Sequence, residues 1–147
     1  MGITPHPTQS WVTQQARQLM WKTEKSTFTH VIRDNDGKYG TGFDAVFASE
    51  RIEVVRTPFH APRANAYAER WVRSIREECL DQVIILNQNH LAYVLREYAR
   101  YFNAARPHQG IGQQIPDPPP TGNLPGTGKV ERRDILGGVI HDYYIAA

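Results

Sequence analysis

Apolar side chains recur at intervals of three and four residues along much of the chain, which is the spacing of one face of an α-helix. This pattern predicts helices over residues 8–21, 43–49, 62–80 and 89–103. Asn89 stands at the start of the last helix and is predicted to cap it. The chain is therefore expected to be rich in helices, with only short segments left for strands.

Two shorter segments have the character of β-strands. Residues 27–33 alternate in polarity and are rich in β-branched side chains, and residues 52–56 form a second short run. Because a predicted helix lies between these two segments, they are expected to belong to one α/β sheet.

The predicted helix over residues 62–80 has two distinct faces. Its apolar stripe comprises Ala68, Val72, Ile75 and Cys79. Glu69, Arg73 and Arg76 each come one residue after a member of this stripe, so they line the adjacent face together. An acid and two cations are thus predicted to share one side of this helix.

The last part of the chain differs in composition from the rest. Residues 114–128 are rich in proline and glycine, which is typical of a linker. Residues 129–147 are predicted to form either a small hairpin around Gly137 and Gly138 or a disordered tail. The folded domain is therefore expected to occupy residues 1–113.

Length and composition are those of one globular domain. The chain has 147 residues, of which 40% are hydrophobic, and its longest aliphatic run is far shorter than the roughly 20 residues of a membrane span. It also lacks the pattern of a secretory signal. Because Cys79 is the only cysteine, no internal disulfide can form, which fits a reducing cytoplasm.

The net charge is only +2. The distribution of the charged residues along the chain is more informative. Between Arg51 and Arg106 the sequence contains arginine but no lysine. The planar guanidinium group suits phosphate oxygens, which modestly favours a nucleic-acid partner. The same segment contains six acids, so a solvated helix face explains these charges about as well.

Two acids follow the predicted elements in an order that suggests a metal site. Asp34 ends the first predicted strand, and Glu69 lies on the helix after the second. Functional groups of open α/β sheets gather at the carboxyl ends of the strands, so the two carboxylates are expected at one end of the sheet. Phosphoryl transfer in polynucleotides uses two Mg²⁺ ions about 4 Å apart, and Mg²⁺ prefers oxygen ligands.

Three short motifs make a family resemblance specific. Asp34 is followed by a glycine and, five residues on, by Tyr39; Asn65-Ala66 stands three residues before Glu69; and Arg106-Pro107-His108-Gln109-Gly110 follows the last predicted helix. In this order they resemble the second-acid, third-acid and post-core motifs of bacterial insertion-sequence transposases in the retroviral-integrase superfamily. The 34 residues between Asp34 and Glu69 are close to the family interval.

The resemblance extends over residues 4–113 and implies an incomplete ribonuclease H-like fold. The family sheet has five strands, and its first strand bears the first catalytic aspartate. Here no aspartate precedes Asp34, and Met1 to Thr4 resembles the end of the third strand. An N-terminally truncated catalytic core with an irregular C-terminal tail is therefore expected.

The resemblance also implies a reaction, a cofactor and partners. Asp34 and Glu69 would be catalytic and would each bind a metal, while Asn65, Arg63, Arg73 and Arg76 would contact DNA. The implied activity is DNA strand transfer dependent on Mg²⁺ or Mn²⁺, and both metal affinity and turnover are expected to be weak or absent without the first aspartate. A bacterial cytoplasmic, nucleoid-associated protein is expected, binding DNA and either a second copy or an intact transposase.

Other interpretations remain open from the residues. Asp36 is a rival to Asp34, although it breaks the interval to Tyr39. Asp34 to Gly37 is also a common Asx-turn sequence, and Glu69 with Arg73 has the spacing of an ordinary helical surface pair. A non-catalytic DNA-binding or assembly remnant, or a decayed product without a role, is the alternative at the level of function.

Overall fold

The computed structural model describes residues 2–22, 28–58, 65–118 and 128–146. The described helices are α1 (Gln9–Lys22), α2 (Thr41–Ser49), α3 (Ala66–Glu78) and α4 (Gln88–Ala104). The described strands are β1 (His30–Arg33), β2 (Glu53–Arg56), β3 (Val130–Ile135) and β4 (Ile140–Ile145). Helices and strands are thus mixed, in agreement with the predicted α/β class.

Two compact units divide the chain, Met1–Arg70 and Trp71–Ala147. In the first unit, β1 and β2 pair in parallel with Val31 opposite Val54. The connection between them contains α2, which is the usual way for a chain to join parallel strands.

The first unit has its own apolar cluster beneath the strand pair. Its buried members are Val12, Ala16, Phe43, Phe47 and Ile52. The Phe43 ring lies 4.9 Å from the rings of both Tyr39 and Phe47, in edge-to-face contacts. This cluster packs α1 and α2 together and so supports the turn that follows β1.

The second unit contains α4, most of α3 and an antiparallel hairpin of β3 and β4. Its buried apolar members are Ile75, Cys79, Val94, Tyr98 and Ile140. Residues 129–146 therefore adopt the hairpin alternative, and Ile140 at its turn packs in the same cluster as the helices. Gly137 in the turn has φ of 69°, a conformation that glycine adopts without strain.

Two expectations about helix α3 and α4 were wrong. Asn87, and not Asn89, caps α4, because its side chain accepts a hydrogen bond of 2.9 Å from the backbone N–H of His90. Asn89 lies inside the first turn. Of the predicted stripe, only Ile75 in α3 and Cys79 directly after it are buried, whereas Val72 is 50% exposed and Ala68 is also exposed. The apolar cluster of the second unit reaches only the C-terminal half of the helix.

The start of the predicted linker is structured. The backbone N–H of Asp117 donates to the carbonyl of Asn103 at 2.8 Å. His108 and Gln114 form an isolated antiparallel β-bridge. Residues 119–127 of the linker lie outside the described residues. In the part of the chain that is described, no helix is long and apolar enough to cross a membrane.

Candidate functional site

Asp34 lies directly after the carboxyl end of β1, as predicted, in a tight turn. Its Oδ1 accepts a hydrogen bond of 3.1 Å from the backbone N–H of Asp36, so the Asx turn suggested by the sequence is present. The Asp34 side chain is exposed and forms no ion pair within the described residues. The turn fixes one carboxylate oxygen and leaves the group open to solvent.

The loop that contains Asp34 is held at three points. The Nη1 of Arg33 donates to the carbonyl of Asp34 at 2.9 Å. The side-chain amide of Asn35 donates to the carbonyl of Thr57 after β2 at 2.6 Å, and that of Gln9 in α1 donates to the carbonyl of Gly37 at 2.8 Å. These bonds connect the loop to the carboxyl ends of both β1 and β2 and to α1, so Asp34 lies on a backbone held at three points.

Asp36, the rival acid, is already engaged. Its carboxylate forms an ion pair of 2.7 Å with Lys38 and also accepts a hydrogen bond from the backbone N–H of Lys38. The hydrogen bond to the Lys38 side chain lowers the pKa of Asp36. A metal ion would have to displace this lysine from Asp36, whereas Asp34 has no such partner among the described residues.

A buried arginine supports this loop, and sequence inspection did not single it out. Arg33 is 6% exposed and donates to both oxygens of Asp44 in α2, at 2.8 and 2.9 Å. Arg56, opposite Arg33 in the strand register, donates to the same carboxylate at 2.7 Å. These hydrogen bonds, with that from Arg33 first, lower the pKa of Asp44. The only sequence signal was a lone acid in the apolar pattern of α2.

Glu69 lies in the first turn of α3 with an exposed side chain. Arg73 is exposed too, and neither side chain forms an ion pair within the described residues, so the ordinary surface pair is not formed. Arg76 is also exposed, with its Nε at a long 3.7 Å from Asp81. Asn65 is half-buried beside the start of α3, and Arg63 lies outside the described residues.

The metal site expected at Asp34 and Glu69 stays a prediction. Residues 59–64 lie between β2 and α3 and are not described, and no hydrogen bond connects Asp34 to Glu69 among the residues that are. Within that same part of the chain, no group of three or more histidine, cysteine, aspartate or glutamate side chains could hold a metal ion. The exposed carboxylates of Asp34 and Glu69 have the oxygen chemistry that Mg²⁺ prefers.

Comparison with known protein families connects this region to a function. Residues 50–116 match the integrase core domain family model. The matched segment is just under half of the chain; it includes Asn65, Glu69 and the motif at Arg106, while Asp34 precedes it. No curated protein and no solved structure matches the chain. This segment is therefore similar to integrase core domains, which act on DNA.

Proposed function

We propose that this chain takes part in DNA strand transfer of the transposase type. In this proposal Asp34 and Glu69 are two carboxylates of the catalytic centre, and the exposed side of α3 with Arg73 and Arg76 faces the DNA backbone. The observation that carries the proposal is the integrase core match over residues 50–116, which contains Glu69 on an exposed helix face. Arg63 and Asn65, just before α3, belong to the same proposed DNA surface.

The pairing of β1 and β2 supports the fold that the proposal requires. The two strands are parallel, a helix joins them, and Asp34 follows the first of them. A ribonuclease H-like sheet would have further strands beside this pair. We propose that β1 and β2 are its last two strands.

The proposed site would bind Mg²⁺ or Mn²⁺ through Asp34 and Glu69, and the metal would stabilise the oxygens of the transferred phosphoryl group. The chain itself holds Asp34 on a loop tied to β1, β2 and α1 and leaves Glu69 without a competing cation among the described residues. Residues 1–33 contain no aspartate, so the polypeptide of residues 1–147 would bind the metal through two carboxylates. We therefore expect weak metal affinity and no strand transfer by this chain alone.

A cleavage and strand-transfer assay on supercoiled plasmid with Mg²⁺ or Mn²⁺ tests the expected inactivity. The chain and its Asp34→Asn variant should both leave the plasmid intact. Turnover that the Asp34→Asn substitution abolishes would contradict the expectation and would show that two carboxylates suffice here.

DNA binding is tested separately, because it does not need a complete catalytic centre. The affinity should fall steeply with salt, and Arg73→Ala and Arg76→Ala should each reduce the salt slope by about one unit. Arg96→Ala is the matched control, since Arg96 is an exposed arginine on α4 outside the proposed surface. An equal effect of all three substitutions would argue for unspecific charge attraction.

Salt-dependent DNA binding without cleavage also suits the second candidate, a non-catalytic DNA-binding or assembly component. The exposed Arg73 and Arg76 on α3 favour this candidate, because arginine can bind phosphate oxygens without a metal ion. Mixing the chain with an intact transposase that shares its motifs separates the two. A gain in strand transfer that depends on Asp34 indicates a catalytic contribution, and a gain that survives Asp34→Asn indicates an assembly role.

A further inference from the structure

The carboxylate of Glu78 lies at the centre of a polar cluster at the end of α3. Arg106 donates its Nη2 to Oε1 at 2.6 Å and its Nε to Oε2 at 3.0 Å. The hydroxyl of Tyr98 in α4 donates to Oε2 at 2.9 Å. Both oxygens of Glu78 are therefore bound, and the end of α3 is joined to α4 and to the turn that follows α4.

The turn that carries Arg106 is itself held firmly. The guanidinium of Arg106 lies 5.3 Å from the centroid of the Phe102 ring, and its backbone N–H donates to the carbonyl of Tyr101 at 2.9 Å. The ring of His108 lies 4.3 Å from that of Phe102 at 90°, and its Nε2 is 2.8 Å from the Phe102 carbonyl. Through these contacts, the motif Arg106-Pro107-His108 packs against the last turn of α4.

The protonation states of this cluster favour the same arrangement. The hydrogen bond with Glu78 raises the pKa of Arg106, so the guanidinium stays charged. Burial first, and the hydrogen bond to Glu78 second, raise the pKa of Tyr98 well above its usual range. Tyr98 is 0% exposed and remains a neutral donor. Arg106 therefore remains a cation and Tyr98 a neutral donor, and both bind the Glu78 carboxylate.

The helical repeat relates this cluster to the proposed DNA surface. At about 100° per residue, Arg73 lies roughly 140° around α3 from Glu78, and Arg76 roughly 160° from it. The face that Arg106 binds is thus nearly opposite the face that carries Arg73 and Arg76, both of which are exposed.

We propose that Arg106 is a positioning residue for the DNA surface of α3. By binding Glu78 it sets the rotation of this part of α3 about the helix axis, so that Arg73 and Arg76 are directed away from α4. The inference rests on the proposed function, and it assigns a role to a motif that lies far along the chain from those residues.

A double-mutant cycle on DNA affinity tests this coupling. At a temperature where all variants are folded, Arg106→Ala should weaken binding roughly tenfold, which corresponds to about 1.4 kcal/mol. Arg73→Ala should weaken binding in the original chain but add little when Arg106 is already replaced. The charge reversal Glu78→Arg with Arg106→Glu should restore most of the affinity, because it rebuilds an ion pair at the same place.

Arg133→Ala is the control for a purely structural effect. Arg133 pairs with the buried Asp142 at 2.6 Å in the same unit, so its loss should lower the melting temperature while the DNA affinity stays unchanged. The inference is overturned if Arg106→Ala and Arg133→Ala weaken binding equally, or if the effects of Arg106→Ala and Arg73→Ala simply add. Binding that Arg73→Ala weakens but Arg106→Ala does not would overturn the inference and leave the proposed function standing. A wild-type chain without DNA affinity would overturn both.

Discussion

Arg33 and Asp44 are joined by two parallel hydrogen bonds, from Nε to Oδ1 at 2.8 Å and from Nη2 to Oδ2 at 2.9 Å. The pair connects the end of β1 to α2, and Arg56 of β2 binds the same carboxylate. Because a third donor of Arg33 holds the carbonyl of Asp34, the ion pair also supports the loop that carries the candidate catalytic acid. Stability of the first unit and placement of Asp34 therefore depend on the same side chains.

Replacement of Asp44 by asparagine should destabilise the first unit. It would leave the guanidinium of Arg33 buried without its charged partner, at an expected cost of about 1.5–3 kcal/mol in the free energy of unfolding. Urea denaturation measures this cost. The matched control is Asp36→Asn, which removes an exposed pair with Lys38 and should have little effect. Equal losses for both variants would show that burial of Arg33 is unimportant.

Stability at low pH should depend on Asp44 as well. Its pKa in the folded chain is held below the ordinary value of about 3.9, so its contribution is present above that value. As the pH falls from about 4 through the lower folded pKa, the contribution should be lost. Melting temperatures measured from pH 7 down to pH 2 should therefore fall less steeply for Asp44→Asn than for the original chain. If the melting temperatures of the two proteins fall with pH at the same rate, Asp44 is not the source of the pH dependence.

The cap of α4 gives a simple test of the helix boundary. Asn87→Ala removes the hydrogen bond to the N–H of His90 and should cost about 1 kcal/mol of stability. Asn89 is the second residue of α4. Asn89→Ala should therefore be neutral or slightly stabilising, because alanine has the higher helix propensity. The reverse order of effects in thermal denaturation would restore Asn89 as the cap.

The hairpin should contribute to the stability of the second unit. Ile140 is 7% exposed and packs in the cluster of Ile75 and Val94, so Ile140→Ala should cost about 2–5 kcal/mol. Val130→Ala, at a position 63% exposed in the same hairpin, should cost much less. Helical circular dichroism is the appropriate probe, since a hairpin that melts without affecting the helices would contradict this packing.

The strand pair of the first unit should promote self-association. Among the described residues β1 pairs only with β2, and Ile32 is 54% exposed. Because an open strand edge with an apolar side chain favours pairing between chains, Ile32→Lys should shift the chain toward the monomer in sedimentation velocity. Ile84→Lys makes the same change at an exposed position outside any strand. If both substitutions act alike, added charge and not the strand edge is responsible.

Much of the secondary structure could be predicted because apolar periodicity records which side of an element is buried. The predicted helix over residues 8–21 is observed as Gln9–Lys22, and the predicted strand over 52–56 as Glu53–Arg56. The places of Asp34 after a strand and Glu69 on a helix followed from the same patterns. The prediction of Asn89 as the cap of α4 was wrong, because helix ends are uncertain by one or two residues in a sequence and the backbone geometry selects Asn87.

The sequence by itself determined the order of the elements, the motifs around Asp34, Glu69 and Arg106, and the lack of an aspartate before Asp34. Only the tertiary structure decided which charges meet. Arg33 binds Asp44, which is 11 residues away in the sequence, and Arg106 binds Glu78, which is 28 residues away. Glu69 and Arg73 are only four residues apart but form no ion pair in the described structure. Among 17 basic and 15 acidic side chains many pairs are conceivable. Packing of the apolar clusters selects the few that come within hydrogen-bonding distance, because it fixes where the helices and strands lie.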